Sequence, residues 1–370
     1  MTLTFDLHLD LAMNAIQFNR DLRLSVAASR ESEADIAGKG RGRNTVTLPE
    51  MRRGHVGLCV ATVLARVHRG AGPPAAGGGI TGNRTPETAY AVAKGMLAYY
   101  RLLEETGDLR QIRTGPEMTA AAGVWEVATA AGAAGGAAAG GPPIGYVLGT
   151  EGADCIVSPA QLGQWWEDGL RAVSLVHYGV SKYAHGTGTD GPLSADGRDL
   201  LTAMEEVGAI LDVTHQSDTS FWESLERFKG PVFASHQNCR ALVPGDRQFS
   251  DDQLKALFAR DAVIGPALDN WMLYPGYVRQ ETPRTLIHLG DYVEHIDHLC
   301  QLAGSVRHVA IGSDLDGGYG TEQTPEDLET IADLQRVPEL LRRRGYADAD
   351  VRAIMGGNAV RFFAAALPAA

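Results

Sequence analysis

The chain has 370 residues, of which 44% are hydrophobic and 21% are charged, and this ordinary globular composition excludes disordered and fibrous proteins. The formal net charge is -12, without a block of Lys or Arg. Because nucleic acid and anionic lipid need a positive surface, we expect a small molecule as partner, with no nucleic acid and no membrane.

Eight short apolar runs that end in polar residues are predicted as strands. They cover residues 3–10, 56–64, 144–151, 172–177, 209–215, 231–236, 262–268 and 307–314. Stretches with helical spacing lie between most of them, at 86–106, 159–169, 199–207, 218–228, 250–259 and 285–303, and more helical sequence follows at 326–366. This alternation predicts an α/β fold, a (β/α)8 TIM barrel with additional C-terminal helices, as one domain over residues 1–370. An open doubly wound sheet is the alternative.

Two segments interrupt the alternation. Residues 66–86 are rich in Gly and Pro, and we interpret them as a connection that could form a lid over the barrel mouth. Residues 128–143 are a run of Ala and Gly that ends in two prolines, which predicts a loose link or a weak helix.

Residues able to bind metals or move protons stand at the ends of six predicted strands. They are His8, Asp10, Glu151, His177, His215, His236 and Asp314. In a barrel of this type the carboxyl ends of the strands form one rim, where enzymes place their chemistry. We therefore expect these distant residues to converge.

His8 and Asp10 lie two residues apart in one strand, so both side chains can face the same side and share a cation. A carboxylate such as Glu151 has two oxygens and can bridge this cation to a second one held by His215 and His236. The pattern thus predicts two divalent cations, and imidazole with carboxylate ligands suits zinc, manganese or iron.

Two such cations would hold a bridging water, lower the pKa of that water to ~7 and polarise a carbonyl group, which predicts a hydrolase acting through a metal-bridging hydroxide. Asp314, in VAIGSDLDG, is predicted to act as general base and then as general acid. Taken singly, His215 and His236 fit hydrogen-bonded core histidines better than metal ligands, and only the joint placement favours a metal site.

Other polar motifs carry no catalytic prediction. His295 and His298 lie at helical spacing and are predicted to form the polar face of an amphipathic helix. The segment GTGTDG matches a dinucleotide-binding pattern by letter, but it does not open a helix directly after a strand.

The four cysteines lie far apart without CxxC spacing, which predicts neither a zinc knot nor a disulfide framework. The start MTLTFDLHLD has neither the basic residues nor the apolar run of a signal peptide. We therefore expect a cytoplasmic protein.

The motifs around these residues resemble those of the renal (membrane) dipeptidase family of binuclear zinc peptidases, over nearly the whole chain. DLHLDLAMNAI resembles the opening metal motif of the family, LGTEGAD its bridging glutamate and SLVHYGVSKYA its fourth-strand histidine. LDVTHQSD and FASHQNCRAL resemble the two later metal histidines, IGSDLDGG the catalytic aspartate and GGNAVRFF the closing helix.

This resemblance implies a zinc-dependent dipeptidase and two further roles. His177 would contact the scissile carbonyl as it becomes an oxyanion, and Arg247, in PGDRQFSDD, would bind the C-terminal carboxylate of the dipeptide. Without the resemblance, Arg247 is predicted to be a surface residue. Because members of the family tend to pair, a homodimer is also expected.

One departure from the family concerns the seventh predicted strand. Where the family has an Asn-Phe type sequence facing the substrate, this chain has Pro266, Ala267 and Leu268. Residues that could compensate are Asp269, Trp271 and Tyr274. Two alternatives therefore stay open: a metal-dependent amidohydrolase acting on N-acyl amino acids or another small amide, and a non-catalytic binding protein with the same fold.

Overall fold

A computed structural model describes residues 1–68, 82–132 and 141–370 of the chain. Most of the predicted lid at 66–86 falls on residues 69–81, and half of the predicted link at 128–143 falls on residues 133–140. Both of these stretches lie outside the described residues.

Within the described residues, seven strands form one parallel sheet. They are β1 (Thr4–Leu9), β2 (Val56–Val63), β3 (Leu109–Gln111), β4 (Ile144–Thr150), β5 (Leu170–Ser174), β6 (Ile210–Asp212) and β7 (Val232–Phe233). The hydrogen-bonded order is β1-β2-β4-β5-β6-β7, and β3 pairs with the start of β4. Every residue of β1, β2 and β4 is buried, which explains why these strands appear in the sequence as continuous apolar runs.

The last two predicted strands, 262–268 and 307–314, pair only through isolated parallel bridges. The bridges join Ala234 to Ile264, Ile264 to Val309, and Ile311 to Asp6. They connect β7 through both segments to β1. The α/β class and a curved parallel sheet are therefore confirmed.

Helices follow most strands, as a parallel sheet requires. They are α1 (Leu11–Gln17), α2 (Val26–Ser32), α3 (Leu48–Arg53), α4 (Pro86–Glu105), α5 (Gly115–Ala130), α6 (Leu162–Glu167), α7 (Ala195–Val207), α8 (Asp218–Arg227), α9 (Asp251–Ala259), α10 (Asn270–Leu273), α11 (Leu289–Ala303), α12 (Val337–Arg343), α13 (Asp348–Arg352) and α14 (Asn358–Ala366). Several begin at a Ser or Thr whose hydroxyl accepts a hydrogen bond from the third helical amide, as at Ser194 and Ser250.

The C-terminal helices close an apolar cluster inside the curved sheet. In α14, the ring of Phe363 packs against Phe5 of β1 and Phe233 of β7, with ring centroids 5.3 Å apart in both pairs. The predicted additional C-terminal helices are thus present. They pack on this apolar cluster and do not cover the polar carboxyl ends of the strands.

The sequence did not indicate β3 or the helices α1, α2, α3, α5 and α10. Helix α5 extends into the predicted link at 128–143. Nowhere in the described part of the chain is a helix both long and apolar enough to cross a membrane. All four cysteines are buried and unpaired. The single domain over 1–370 stays a prediction.

Candidate metal centre

The seven predicted site residues lie at one edge of the sheet. His8 is in β1 and Asp10 follows it, Glu151 follows β4 directly, and the other three histidines stand shortly after β5, β6 and β7. Asp314 ends the 307–314 segment. Because the strands are parallel, their carboxyl ends meet at the same edge, and the structure brings all seven side chains together.

One oxygen of Glu151 lies at the middle of this cluster. Its Oε1 atom is 3.2 Å from His215 Nε2, 3.3 Å from His177 Nε2, 3.4 Å from His236 Nε2 and 3.8 Å from His8 Nε2. The Nε2 atoms of His215 and His236 are themselves 3.0 Å apart. Four imidazole nitrogens therefore surround a single buried carboxylate oxygen.

His8 links this group to two more carboxylates. Its Nε2 atom is 3.6 Å from Asp10 Oδ2 and 3.9 Å from Asp314 Oδ1, and the hydroxyl of Thr62 donates to Asp10. Buried His8 Nε2 has no hydrogen-bond partner among the described residues. Three overlapping groups of ligand atoms are close enough to hold a cation: His8, Glu151 and His236; Glu151, His177 and His215; and His8, Asp10 and Asp314.

Hydroxyl groups fix the orientation of the imidazole rings. Thr187 Oγ1 lies 3.1 Å from His215 Nδ1, and Ser235 Oγ lies 2.8 Å from His236 Nδ1 and 3.4 Å from His8 Nδ1. Since Nδ1 is engaged on the outer side, Nε2 of each ring faces the centre, which is the arrangement of histidine ligands held by a second layer of hydrogen bonds.

Two buried carboxylates hold the strands that carry these ligands. Asp6 accepts hydrogen bonds from the amides of His8, at 3.2 Å, and Ser313, at 2.9 Å. Asp212 accepts one from the amide of Ser235, at 3.1 Å. Each carboxylate thus joins two neighbouring strand ends at the level of the site.

The backbone is strained at two of the site residues. His215 has a φ of 68° and Asp314 a φ of 56°, in the left-handed region that side chains other than glycine rarely adopt. Asp316, at 62°, anchors the turn that carries Asp314, because its carboxylate accepts from the amides of Thr45, at 2.7 Å, and Val46, at 3.0 Å. Strain of this kind tends to persist at functional sites.

Three carboxylates, Asp10, Glu151 and Asp314, lie close together in this cluster and are largely shielded from solvent. Burial, reinforced by the charge of Asp10, raises the pKa of Glu151 well above its usual value, and burial raises the pKa of Asp314 to about 8. For His8, burial alone would lower the pKa, but the charges of Glu151 and Asp10 outweigh it and raise the pKa to about 10. A positive charge in the centre would be strongly favoured.

The other imidazoles are neutral. Burial, assisted by the positive charge of Arg247, lowers the pKa of His177, His215 and His236 well below the usual value. Neutral imidazole is the form that binds a metal ion.

Arg247 is buried beside this cluster, so the surface position suggested by sequence alone is wrong. Its side chain is 2% exposed, and the guanidinium donates to the His236 carbonyl, at 2.8 Å, and to Gln237 Oε1, at 2.7 Å. Its Nε has no partner within the described residues.

The predicted polar face of α11 is also wrong for His295. This side chain is 1% exposed, and its Nδ1 accepts a hydrogen bond from the amide of Cys239, at 3.1 Å, in the connection that follows His236. His298 is half-buried and pairs with Asp251 at 2.8 Å.

Sequence reasoning missed the residues that support the ligands. These are Thr62, Thr187, Ser235, Asp6 and Asp212. Ser235 directly precedes His236, so its position next to a predicted ligand could have identified it. Thr187 lies far in sequence from His215, and nothing in the sequence indicates their contact.

The profile of one protein family, described as membrane dipeptidase (peptidase family M19), matches residues 1–369. Among curated proteins, the chain is 34% identical to an uncharacterized protein in the pqqA 5' region of Klebsiella pneumoniae, over 50% of this chain and 64% of that protein. It is 32% identical to a dipeptidase of Aspergillus oryzae, over 59% of this chain and 50% of that protein. The match to each of these relatives spans about half to two thirds of its length.

Two solved structures share the fold. One, described as a dipeptidase and metallo peptidase of family M19, is 22% identical, with a TM-score of 0.75 over 100% of this chain and 99% of that one. The other is a metallo peptidase from Rhodobacter sphaeroides, solved with a phosphinate mimic of the dipeptide L-Ala-D-Ala. It is 21% identical, with a TM-score of 0.75 over 98% of this chain and 99% of that one.

Proposed function

Because the chain belongs to the membrane dipeptidase family, peptidase family M19, we propose that it is a metal-dependent dipeptidase that hydrolyses the peptide bond of dipeptides. Family membership confirms the resemblance that the sequence motifs indicated. The observation that carries the proposal is the convergence of four imidazole nitrogens on Glu151 Oε1, next to Asp314.

Two zinc ions fit the donor set. His8, Asp10 and Glu151 would hold one ion, and Glu151, His215 and His236 the other. The fit rests on the neutral imidazoles, on the crowded carboxylates and on the buried Nε2 of His8, which has no hydrogen-bond partner among the described residues. Bound there, divalent cations would supply an activated water and a polarised carbonyl.

The remaining side chains would do the rest of the reaction. Asp314 takes the proton of the attacking water and passes it to the amine nitrogen as the C–N bond breaks, which yields two free amino acids. His177, whose buried Nδ1 has no partner among the described residues, is free to contact the carbonyl oxygen through one ring nitrogen. Arg247 binds the C-terminal carboxylate, for which the guanidinium fork is well suited.

The fold that carries this site is, in our proposal, a closed (β/α)8 TIM barrel. Its support is the chain of bridges that runs from β7 through Ile264, Val309 and Ile311 to β1. A homodimer and a cytoplasmic location stay predictions from the sequence.

A second candidate is the hydrolysis of N-acyl amino acids or another small amide by the same centre. The observation that favours it is the stretch 266–268, where this chain has Pro266, Ala267 and Leu268 in place of the amide and aromatic side chains of the family.

The test is hydrolysis by the zinc-loaded chain of a dipeptide panel, including L-Ala-L-Ala and L-Ala-D-Ala, and of a separate set of N-acetyl amino acids. The matched variant is Asp314→Asn, which keeps the shape of the side chain but cannot carry the proton. Dipeptide cleavage that falls by about 10²–10⁴-fold in the variant would support both the reaction and the role of Asp314. Cleavage of N-acyl compounds alone would favour the second candidate.

A further inference from the structure

A cavity lined by basic residues opens on the same edge of the sheet as the metal centre. Its volume is about 690 Å³, and its walls come from residues 36–43, 279–284 and 321–322. These three stretches belong to connections that follow β1 and the 262–268 and 307–314 segments. We call it the basic cavity. The charged residues in its lining are Lys39, Arg41, Arg43, Arg279, Arg284 and Glu322.

Two of the five cations already have partners. Arg41 pairs with Glu33 at 3.0 Å, and Arg284 pairs with Glu329 at 3.1 Å. The other three, Lys39, Arg43 and Arg279, are exposed, and within the described ranges none of them forms an ion pair. In a chain with a net charge of -12, this concentration of unpaired positive charge needs an explanation.

Two carboxylates that act on the cavity accept hydrogen bonds from neutral donors. Glu322 accepts a hydrogen bond from the amide of Gly40, at 2.9 Å. Asp269 accepts from Gln323 Nε2, at 2.6 and 2.7 Å to its two oxygens. A single cavity carboxylate therefore faces three unpaired cations, and the cavity stays positive.

Lys39 connects the cavity to the metal centre. Its ammonium lies 5.7 Å from the ring centroid of Tyr319, a buried residue five positions after Asp314. The neighbouring Gly40 carbonyl accepts a hydrogen bond from Arg20, at 2.6 Å, and Arg20 pairs with Asp316, at 3.7 Å, two residues after Asp314. The wall of the cavity therefore lies beside the turn that carries Asp314.

We propose that the basic cavity binds the side-chain carboxylate of an acidic residue in the substrate, so that dipeptides containing Asp or Glu are preferred over their amide counterparts. The inference rests on the proposed dipeptidase function. A dipeptide has one α-carboxylate, for which Arg247 is already assigned. A second cationic site on the same rim is useful only if the substrate carries a second negative charge, and guanidinium groups bind carboxylates in a paired geometry.

The experiment compares kcat/KM of the metal-loaded full chain on two matched pairs, Ala-Glu with Ala-Gln and Glu-Ala with Gln-Ala. Each pair differs only in charge, and the two pairs distinguish which substrate residue reaches the cavity. We expect at least one acidic member to be preferred by about tenfold or more, as for a charge-assisted hydrogen bond. The preference should fall with rising salt, since the cations are exposed.

Lys39→Gln and Arg279→Gln should each reduce the preferred acid-to-amide ratio by about tenfold, mainly through KM. Lys255→Gln, on an exposed site in α9, removes the same charge elsewhere and should leave the ratio unchanged. Lys39→Glu should shift the preference toward Ala-Lys or Lys-Ala, and thermal unfolding of each variant verifies its fold.

Cleavage of neutral dipeptides with ratios near one in both pairs, or a preference that survives all three cavity variants, would overturn this inference and leave the dipeptidase proposal intact. Failure to cleave any dipeptide would overturn both.

Discussion

Replacing Gly317 with alanine tests whether Asp314 must stay where the structure places it. A Cβ atom at this position would lie 2.0 Å from Oδ1 of Asp314 and 2.8 Å from its Cγ, whereas Cβ contacts under 3.0 Å are essentially never seen. The carboxylate must therefore move by about 1 Å. A displacement of that size can cost about 10²-fold in rate when it affects a reacting group, so we expect kcat to fall by about that factor.

The assay is kcat on a cleaved dipeptide, together with metal content and thermal unfolding. Gly318→Ala is the matched control, because it lies in the same turn with nothing within 4 Å of its Cβ. Its φ of 80° means that alanine there should cost about 1 kcal/mol of stability and little rate. Full activity in Gly317→Ala would refute the argument that Asp314 carries the proton from a fixed position.

Three further predictions address the metals, the carboxylate contact and acid stability. Chelation should abolish dipeptide cleavage and lower the thermal unfolding temperature, and added zinc should restore both, because the ions bind the folded chain; unchanged activity would contradict a metal centre. Arg247→Lys should raise KM by about tenfold with a smaller effect on kcat, because an ammonium lacks the two-pronged donor geometry; steady-state kinetics on one dipeptide decide this. Burial lowers the pKa of His295 to about 3, so between pH 6.5 and 3 the unfolded chain binds a proton that the folded chain does not. The free energy of unfolding should therefore decrease as the pH is lowered from 6.5 to 3, by up to about 1.4 kcal/mol per pH unit. Denaturant titrations should show that this contribution to the slope is missing in His295→Asn.

Apolar runs locate strands well when the strand is buried on both faces. β1, β2 and β4 are such strands, and their predicted bounds agree with the structure to within a residue at each end. The 262–268 and 307–314 segments have the same composition, yet they pair through single bridges. Pairing depends on neighbours that are distant in sequence, so an apolar run predicts a buried extended segment but not how many ladder hydrogen bonds it makes.

Helix α5 escaped prediction because its sequence, GPEMTAAAGVWEVATA, has almost no alternation of polar and apolar residues. Its start is nevertheless marked. The Thr114 hydroxyl accepts a hydrogen bond from the amide of Glu117, and the Glu117 side chain accepts one from the amide of Thr114. This is a capping box, and the sequence TGPE at 114–117 is typical of it. A search for caps would have found what periodicity could not.

The site was easier to predict than its support. Metal-type residues at strand ends are visible in the sequence, because the parallel topology alone brings them together. Burial of Arg247 and His295 is not visible, since each depends on partners in other elements: Gln237 for the arginine and the Cys239 amide for the histidine. Their roles stay predictions that only the proposed variants can test.

The departure from the family at Pro266, Ala267 and Leu268 involves none of the candidate metal ligands. Asn238 pins this stretch through its backbone, since its Oδ1 accepts from the Ala267 amide at 2.6 Å and its Nδ2 donates to the Ala267 carbonyl at 3.2 Å. With Ala267 and Leu268 fully buried, Asp269 is the first residue after them with a polar side chain, and its charge acts on Asp314. The ligands stand on other strands, so this substitution can change which substrate is accepted without changing the metal centre, and in our proposal the basic cavity then selects acidic dipeptides.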